Sequence, residues 1–267
     1  MEVIERTVIV PHRGYIKLYP IGDIHASSIH CAEDKIESKI NSIRQERNAY
    51  IIGMGDLVDS IIKDDPRFDM GGLAKWVEPD NIVESQREWI VRLLKPVKNK
   101  IICLLSGNHE ENIHKRYQDD IMGNICKDLG VPWGGYSCFI DLNCTRKGSN
   151  ESHHFTIHAF HGAGAAVTEG ARLMRLKRLI DSVEADIFLM GHLHTITSYL
   201  PEKLALRNHK IKNIHKVAVT TGSWLKSYTQ GAITSYGELK GYPPSQLGAP
   251  CVILYPDKGI MRVELGE

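Results

Sequence analysis

Short polar clusters built around Asp, Asn and His recur along the chain, and their residue types suit metal binding. The clusters are Asp23-Ile-His25, Gly55-Asp56, Gly107-Asn108-His109, His161-Gly162 and Gly191-His192-Leu193-His194. Carboxylate and amide oxygens combined with imidazole nitrogens are ligands for divalent transition metals such as Mn, Fe, Zn or Ni. An extended backbone would turn residues i and i+2 of a cluster to one side, where both side chains reach one cation. We therefore predict a metal centre.

Each cluster alone is a weak signal, and the prediction depends on their combination. A single Asp-x-His is more often a surface turn with an incidental histidine, and an isolated Gly-His-x-His is only somewhat more specific. Clusters that each follow an apolar segment, five times over, are much harder to attribute to chance. The other histidines match no cluster, and we expect them to be packing or surface residues: His12, His30, His114, His153, His154, His158, His209 and His215.

The apolar segments before the clusters predict the strands that deliver them. These predicted strands are Tyr15–Ile21, Ala49–Ile52, Lys100–Leu105, His154–Phe160 and Asp186–Met190. Apolar residues at helical spacing predict intervening helices at Asp34–Arg47, Ile82–Leu94 and Glu169–Val183. Repeated alternation of strand, polar loop and helix indicates a largely parallel α/β arrangement, whose ligand sites lie at the carboxyl ends of the strands.

Further short strands are predicted at Tyr136–Leu142, Lys216–Thr220 and Cys251–Tyr255, which two packed sheets with helices outside would accommodate. No linker or repeat interrupts the chain, so residues 1–267 are interpreted as one domain with loop insertions near 60–81 and 112–136. The loop aromatics Trp76, Trp133 and Tyr136 have two interpretations. They either anchor their loops in the core or stack on a planar group of a substrate.

Composition narrows the function classes. Thirty-three basic and 32 acidic residues give a net charge of +1, which does not indicate a nucleic-acid or membrane field over the whole surface. A local basic helix carries Arg172, Arg175, Lys177 and Arg178, either as a solvated face or as a track for phosphates.

Met1–Val10 is neither a signal peptide nor an anchor, so we expect a cytoplasmic protein without a membrane partner. Six cysteines without C-x-x-C spacing are expected to be reduced, buried thiols rather than disulfides or a zinc site.

The order of the clusters resembles the calcineurin-like metallophosphoesterase superfamily. The resemblance is carried by Asp23-x-His25, Gly55-Asp56, Gly107-Asn108-His109-Glu110, His161 and Gly191-His192-x-His194, with Thr221-Gly222-Ser223 similar to a Gly-Ser turn that follows the last motif. It spans most of the chain. The resemblance implies the α/β fold of that superfamily, a two-sheet β-sandwich flanked by helices in an αββα arrangement.

The same resemblance implies two adjacent divalent metals, with Mn favoured and Fe, Zn or Ni as alternatives. Asp23, His25 and His194 would hold the first metal, Asn108, His161 and His192 would hold the second, and Asp56 would bridge them. In such a centre a metal-bridging hydroxide attacks the phosphorus, and both cations stabilise the in-line displacement.

Two catalytic residues follow from the resemblance. His109 would stabilise or protonate the leaving group, and Asp59 is similar to the aspartate that orients this histidine in protein serine/threonine phosphatases. Ser60 stands where that branch has a phosphate-clamping arginine, which serine cannot replace, so membership in the branch is not supported. Arg116, downstream of His109, either supplies charge or lies on a solvated helix face.

The sequence thus predicts a metal-dependent phosphoesterase, a hydrolase that favours phosphodiesters. The expected partner is a phosphoester substrate, with nucleic acid or a nucleotide as candidates. Two alternatives remain open at this point. One is a phosphomonoesterase, and the other is a non-catalytic scaffold that kept the fold, although the presence of His109 and of every ligand argues against it.

Overall fold

The computed structural model describes residues 1–266 of the chain. The strands are β1 (Glu2–Val10), β2 (Ile16–Ile21), β3 (Ala49–Gly53), β4 (Ile101–Leu104), β5 (Ser137–Arg146), β6 (Ser152–Phe160), β7 (Ile187–Met190), β8 (Thr197–Tyr199), β9 (Glu202–Arg207), β10 (Lys210–His215), β11 (Val217–Thr220), β12 (Cys251–Tyr255) and β13 (Ile260–Glu264). The helices are α1 (Glu33–Gln45), α2 (Ile82–Leu94), α3 (Asn108–Tyr117), α4 (Ile121–Leu129), α5 (Glu169–Ser182) and α6 (Tyr236–Leu239). Short 3-10 helices lie at Met70–Gly72, Lys95–Lys100 and Pro256–Lys258.

Two mixed sheets pack face to face. One has the strand order β1-β5-β6-β7-β11-β8 and the other the order β13-β12-β2-β3-β4. Strands β2, β3 and β4 run parallel, and so do β6, β7 and β11. Between the sheets lies an apolar core in which Leu18 and Ile52 from one sheet meet Ile157 and Leu189 from the other. Alternating side chains of each strand thereby bury one face of each sheet.

Helices cover the outer faces of both sheets. Ile36 of α1, Ile90 of α2 and Ile125 of α4 are fully buried against the five-stranded sheet. On the other side, α5 packs Leu176 and Ile180 against the six-stranded sheet. The layers are therefore helix, sheet, sheet and helix, which confirms the predicted two-sheet sandwich flanked by helices.

The two expected loop insertions differ from each other. The segment 60–81 is largely irregular, and Trp76 anchors it by stacking on Trp89 with ring centroids 5.6 Å apart and by donating from Nε1 to Glu33 at 2.6 Å. In contrast, 112–136 contains the rest of α3 and all of α4 rather than a loop. Helix α3 has a weak sequence signal because only two of its residues, Glu110 and Ile113, are buried. Helix α4 buries five residues at helical spacing, so its signal was present in the sequence and was not used. The assignment of residues 1–267 to one domain stays a prediction.

Several strands had no sequence prediction, namely β1, β8, β9, β10 and β13. Strand β1 is an edge strand that pairs in parallel with β5. Strands β9 and β10 form a separate two-stranded sheet, most of whose side chains are exposed. The two strands are short, and their apolar alternation is limited to residues such as Leu204 and Leu206, which is a weak signal for a strand.

The cysteines and the helices bear on two further expectations. All six cysteines are free and buried, as expected for thiols that pack like small apolar groups. Within residues 1–266, every helix is too short or too polar to span a bilayer.

Candidate metal centre

All the predicted ligands lie at one edge of the sandwich, beyond the carboxyl ends of strands. Asp23 and His25 follow β2, Asp56 follows β3, Asn108 follows β4, His161 follows β6, and His192 and His194 follow β7. The parallel strands in each sheet end at the same edge, so loops far apart in sequence converge there. The strand-end placement predicted from the clusters is therefore what the structure shows.

The first group of side chains contains Asp23, His25 and His194. The Nε2 atom of His194 lies 3.2 Å from Asp23 Oδ1 and 3.2 Å from Nε2 of His25. All three candidate ligand atoms fall within 4.8 Å of one another. Asp23 and His25 are buried, whereas the His194 side chain is partly exposed at 29%.

The second group contains His161, Asn108 and His192, with Asp56 beside them. Nε2 of His161 lies 3.3 Å from Asp56 Oδ2 and 3.2 Å from Asn108 Oδ1. The ligand atoms of Asp56, His161 and His192 again fall within 4.8 Å of one another. Asp56 also groups with His25 and His109 within this distance. It therefore adjoins members of both groups.

The donor set fits divalent transition cations. It consists of two buried carboxylates, one amide oxygen and four imidazoles, which are oxygen and nitrogen donors of intermediate softness. Within each group, a ring nitrogen lies 3.2–3.3 Å from a second ring nitrogen or from an oxygen. Lone pairs this close need protons or cations between them, and a buried cluster of this composition is suited to hold cations.

The backbone at the ligands is left-handed, which corrects the extended geometry expected for the clusters. Five predicted ligands have positive φ: Asp23 (52°), His25 (52°), Asp56 (49°), His192 (69°) and His194 (52°). The alternation of an extended chain therefore does not explain how residues i and i+2 converge. Each of these five residues instead lies in a left-handed bend of the loop that follows its strand. Non-glycine residues in this region are strained, and such strain concentrates at functional sites.

Hydrogen bonds hold Asp23 in place. The backbone N–H of His192 donates to both carboxylate oxygens of Asp23, at 3.1 and 3.0 Å, and Thr221 Oγ1 donates to Oδ2 at 3.2 Å. Ser223 Oγ donates to the Asp23 carbonyl at 2.9 Å. Thr221-Gly222-Ser223, noted in the sequence only for its likeness to a Gly-Ser turn, thus supports a ligand.

Glu110 organises the loop that carries Asp56, a role the sequence reading did not assign. Its buried carboxylate accepts hydrogen bonds from the backbone N–H groups of Gly107 (2.7 Å), Asp56 (3.0 Å), Leu57 (2.7 Å) and Val58 (3.2 Å). Burial and the nearby Asp56 charge raise the pKa of Glu110, although these donors oppose the change. A detectable signal existed, because Glu110 is at the N3 position of α3, where a carboxylate bonds back to the helix start.

Two glycines let the loops after β3 and β4 touch. A Cβ on Gly107 would lie 2.2 Å from Asp56 Oδ1 and 2.7 Å from His161 Cε1. Gly55 has φ of +86°, and a Cβ there would lie 2.6 Å from the Gly107 nitrogen. Any larger residue would push the Asp56 and His161 side chains apart.

His109 lies beside the groups, held by Asp59 and Asp56. Its Nδ1 donates to the backbone carbonyl of Asp59 and lies 3.7 Å from Asp59 Oδ1, while its backbone N–H donates to Asp56 Oδ1 at 2.9 Å. The Asp59 carboxylate is closer to His25, with Oδ1 3.1 Å from Nδ1. Asp59 therefore contacts both histidines, and its carbonyl forms the hydrogen bond to His109.

Neighbouring buried charges raise the pKa values of His161 and His109 and lower that of Asp56. Burial opposes protonation of His161, but the Asp56 and Asp23 carboxylates outweigh it and raise its pKa to about 10. Burial also works against ionised Asp56, yet His161 and His109 hold its pKa well below the usual range. For His109, burial is again outweighed by Asp56 and Asp59, so its pKa is raised. Metal binding at this cluster would compete with protons.

Several residues singled out in the sequence lie outside the ligand groups. Arg172 Nε donates to the Ala166 carbonyl at 3.0 Å, and Arg175 donates to the carbonyls of Ala163 (2.7 Å) and Ala165 (2.9 Å). These arginines hold the loop that follows His161, an explanation that the sequence reading did not consider for the basic helix.

Tyr136 and Ser60 also have structural explanations. The Tyr136 hydroxyl donates to the Gly162 carbonyl at 2.9 Å, and its ring contacts His161 edge-on, with centroids 5.3 Å apart. It therefore supports a ligand and is half-buried. Ser60 is only 2% exposed, and its backbone N–H donates to Gln86 Oε1 at 3.2 Å. Its side chain is thus buried away from any substrate.

Comparison with known proteins places the chain in a family. The sequence pattern that describes the calcineurin-like phosphoesterase family matches residues 16–196, about two thirds of the chain, including every predicted ligand. The chain belongs to the calcineurin-like phosphoesterase family. No curated protein matches it in sequence.

The solved structures found by comparison are distant from this chain in sequence. A conserved protein from Streptococcus pneumoniae, described as a predicted phosphoesterase, is 13% identical with a TM-score of 0.38, over 94% of this chain and 98% of its own. Zinc-complexed Vps29 from Entamoeba histolytica is 13% identical with a TM-score of 0.39, over 93% and 97%. A metallophosphoesterase from Sphaerobacter thermophilus is 12% identical with a TM-score of 0.41, over 94% and 89%.

Proposed function

We propose that the protein is a dinuclear-metal-dependent phosphoesterase that prefers phosphodiesters. The first cation would be held by Asp23, His25 and His194, the second by Asn108, His161 and His192, and Asp56 would serve both. The observation that carries the proposal is the position of Asp56. Its carboxylate lies among members of both groups, and a carboxylate has two oxygens that can be shared by neighbouring cations.

In this proposal the cations, the residues that position their ligands and His109 have separate roles in catalysis. Two bound divalent cations would supply Lewis-acid polarisation of the phosphoryl oxygens and acidify water. Glu110 and Thr221 fix the ligand loops, which keeps the donors preorganised. His109 is positioned to give a proton to the departing oxygen, because its Nδ1 is occupied by the Asp59 carbonyl and Nε2 remains for the substrate.

The lack of a clamp for a terminal phosphate supports a diester substrate. The buried Ser60 supplies no clamp for the dianionic terminal phosphate of a monoester. A cleft of about 450 Å³ beside Asn108 and His109 gives space for the leaving-group substituent, which diesters and monoesters both carry.

The test measures metal content and hydrolysis together. Purified protein would be loaded with Mn²⁺, Zn²⁺, Ni²⁺ or Fe²⁺, and bound metal would be counted by elemental analysis. Initial rates on bis-p-nitrophenyl phosphate and p-nitrophenyl phosphate would follow. We expect two metals per chain and a kcat/KM for the diester at least equal to that for the monoester.

Failure has two distinct forms. Two bound metals with no hydrolysis of either ester would favour a non-catalytic scaffold. A strong monoester preference would keep the phosphoesterase class and overturn the diester preference. The Asp181→Asn variant, altered at an exposed position on α5, serves as the control and should match the parent protein in both assays.

A further inference from the structure

The cleft beside His109 has a basic outer wall. The α3 helix forms one side of it with Asn108, Asn112 and Arg116, and the segment 60–81 forms the other with Asp65 and Arg67. Residues 108, 112 and 116 are spaced four apart, so they lie on one face of the helix. The cleft therefore runs outward from the candidate metal centre along α3.

Arg67 is held in one orientation at the cleft. Its Nε donates to Asp65 Oδ1 at 2.9 Å and its Nη2 donates to Asp65 Oδ2 at 2.8 Å. The Asp65 side chain is only 5% exposed, whereas that of Arg67 is 41% exposed. The bidentate pair therefore fixes the guanidinium plane and leaves Nη1 for an acceptor from outside.

Arg116 supplies a charge that makes no ion pair in the part of the chain that the structure describes. It nevertheless lies near enough to Asp65 to contribute, after Arg67, to the lowered pKa of that carboxyl. Within residues 1–266, no carboxylate lies within ion-pair distance of Arg116, whereas its neighbour Lys115 pairs with Glu111 at 3.5 Å. Arg116 comes eight residues after Asn108, about 12 Å along a helix axis at 1.5 Å per residue. Its side chain lines the same cleft as Asn108 and His109.

We propose that Arg67 and Arg116 form an anion subsite that binds a second phosphate, carried by the leaving group of the substrate. This inference rests on the proposed function, since the subsite lies on the side of His109. Guanidinium donors match phosphate oxygens in geometry and charge. Asp65 offsets one positive charge, so Arg116 provides the net attraction and Arg67 the fixed donor. The substrate class is then a phosphodiester with a further phosphate beyond the scissile bond.

The test measures binding separately from hydrolysis. Two thymidines joined by an uncharged methylphosphonate linkage resist cleavage, and a terminal phosphate can be added at the 3′ or the 5′ end. Calorimetry on the metal-loaded protein would compare the dissociation constants of these compounds at low salt. We expect one of the two phosphorylated compounds to bind about tenfold more tightly than the unphosphorylated one. Equal dissociation constants for all three would overturn the subsite.

Matched variants assign the effect to the arginines. In Arg116→Gln and in Arg67→Gln the advantage of the terminal phosphate should shrink to less than about threefold. Lys115→Gln, one residue away and already paired with Glu111, should retain the full advantage. Loss of the advantage in Lys115→Gln as well would indicate a diffuse field rather than a subsite, and would contradict the proposal.

A hydrolysis assay separates this inference from the proposed function. It uses the same thymidine dinucleotides with an ordinary phosphodiester in place of the methylphosphonate. If no phosphodiester is cleaved but the terminal phosphate still tightens binding, the proposed function fails and the subsite stands. If the diesters are cleaved without any effect of the terminal phosphate, the subsite fails and the function stands. A tetranucleotide that binds still more tightly would identify nucleic acid as the source of the second phosphate, and no further gain would identify a small phosphorylated molecule.

Discussion

Asp56 shows most clearly how single residues divide the labour of the centre. Its Oδ1 accepts the backbone N–H of His109, its Oδ2 faces His161, and its own N–H donates to Glu110. The carboxylate of Asp56 thus contacts a candidate acid and a candidate ligand, and its backbone contacts the residue that shapes its loop. A substitution at Asp56 should therefore disturb more of the centre than one at Asp23.

The first prediction compares these two aspartates. An amide keeps the shape of the side chain but loses the anionic oxygen, so Asp56→Asn should lower the content of both metals and abolish most activity. Asp23→Asn should lower mainly one. Elemental analysis and hydrolysis rates on the same preparations would measure this. Retention of two metals and full activity by Asp56→Asn would show that it does not bridge.

The second prediction concerns His109. His109→Ala should keep metal content and folding while lowering kcat by roughly 10²–10⁴-fold, the usual contribution of a positioned acid or base. The loss should be smaller for nitrophenyl esters, whose leaving groups need no proton, than for alkyl esters. Rates on both ester types would be compared. An equal loss for both would exclude the proton-donor role.

Secondary-structure elements determine where the donors stand. Strands β2, β3 and β4 end at the same edge, and α3 begins there with Asn108 as its first residue. Glu110, in the first turn of α3, binds the backbone after β3 and so couples that helix to that strand. A change that breaks this coupling should therefore lower stability as well as activity.

The third prediction tests that coupling. Glu110→Gln replaces two strong acceptor oxygens with one weaker acceptor and leaves buried N–H groups unpaired, so metal-free protein should lose about 1–3 kcal/mol of unfolding free energy. Urea denaturation would measure it. Glu111→Gln, which breaks a surface pair with Lys115, should cost less than about 1 kcal/mol. Equal losses of unfolding free energy in the two variants would show that the backbone hydrogen bonds of Glu110 stabilise the fold no more than a surface ion pair does.

The fourth prediction is a pH dependence that originates in β6. His158 is 3% exposed, both its ring nitrogens lack hydrogen-bond partners, and it packs on Phe139 with centroids 5.0 Å apart. Burial lowers its pKa from the ordinary value near 6.5. The folded state resists a proton that the unfolded chain accepts. Its contribution to stability is therefore present above about pH 6.5 and is lost as pH falls through the lowered pKa of the folded state.

His158→Phe removes that titration. The difference in unfolding free energy between pH 8 and pH 5.5, measured in urea, should be smaller in this variant than in the parent. His154→Phe, on the same strand but exposed beside Asp141, is the control and should leave the difference largely unchanged. An identical difference in His158→Phe and the parent would exclude His158 as a source of acid sensitivity.

At the scale of the whole molecule, the centre joins the two sheets. Asp23 and Asp56 come from the five-stranded sheet, while His161, His192 and His194 come from the six-stranded sheet. Cations held between them would bind the folded sandwich and not the unfolded chain. Binding of this kind raises the free energy of unfolding by mass action.

The fifth prediction follows from that linkage. At a free metal concentration of 100 times Kd, each site adds about 2.7 kcal/mol, which corresponds to a rise of roughly 5–10 °C in Tm for a chain of this size. Differential scanning fluorimetry with Mn²⁺ or Zn²⁺, and then with a chelator, would measure it. A Tm that does not respond to either addition would argue against metal ions between the sheets.

The candidate site was largely readable from the sequence because each cluster is local. Asp23, His25 and the other donors follow apolar strands. The alternation of strands and helices along the sequence predicts that these strands are parallel, and therefore that the donors lie at one edge. Glu110 was not assigned a role because its partners are backbone N–H groups, which no residue pattern reveals. Arg67 was missed because its partner Asp65 lies in an irregular segment and its position at the cleft depends on tertiary packing. The left-handed backbone was missed because it occurs at Asp and His rather than at glycine.

Elements with weak burial were the hardest to predict. Helix α3 has a polar surface nearly all round, so its periodicity is faint. The β9–β10 pair exposes Leu204 (76%), Leu206 (70%) and Ile211 (77%), and without a core on one face its strands give only a weak signal. In contrast, α2 buries Trp89 and Ile90, and its predicted limits of Ile82 and Leu94 match the structure.

The hydrogen bonds to Asp23 have a consequence for biosynthesis. The side chains of Thr221 and Ser223, which bind Asp23, follow it by 198 and 200 positions. At translation rates of about 5–20 residues per second, Asp23 emerges roughly 10–40 s before these partners are made. A nascent chain that stops just short of β11 carries all five ligand loops but lacks Thr221 and Ser223, so Asp23 is not yet held in place. We therefore expect the cation site that includes Asp23 to reach full affinity only after β11 and the residues that follow it have been made and folded.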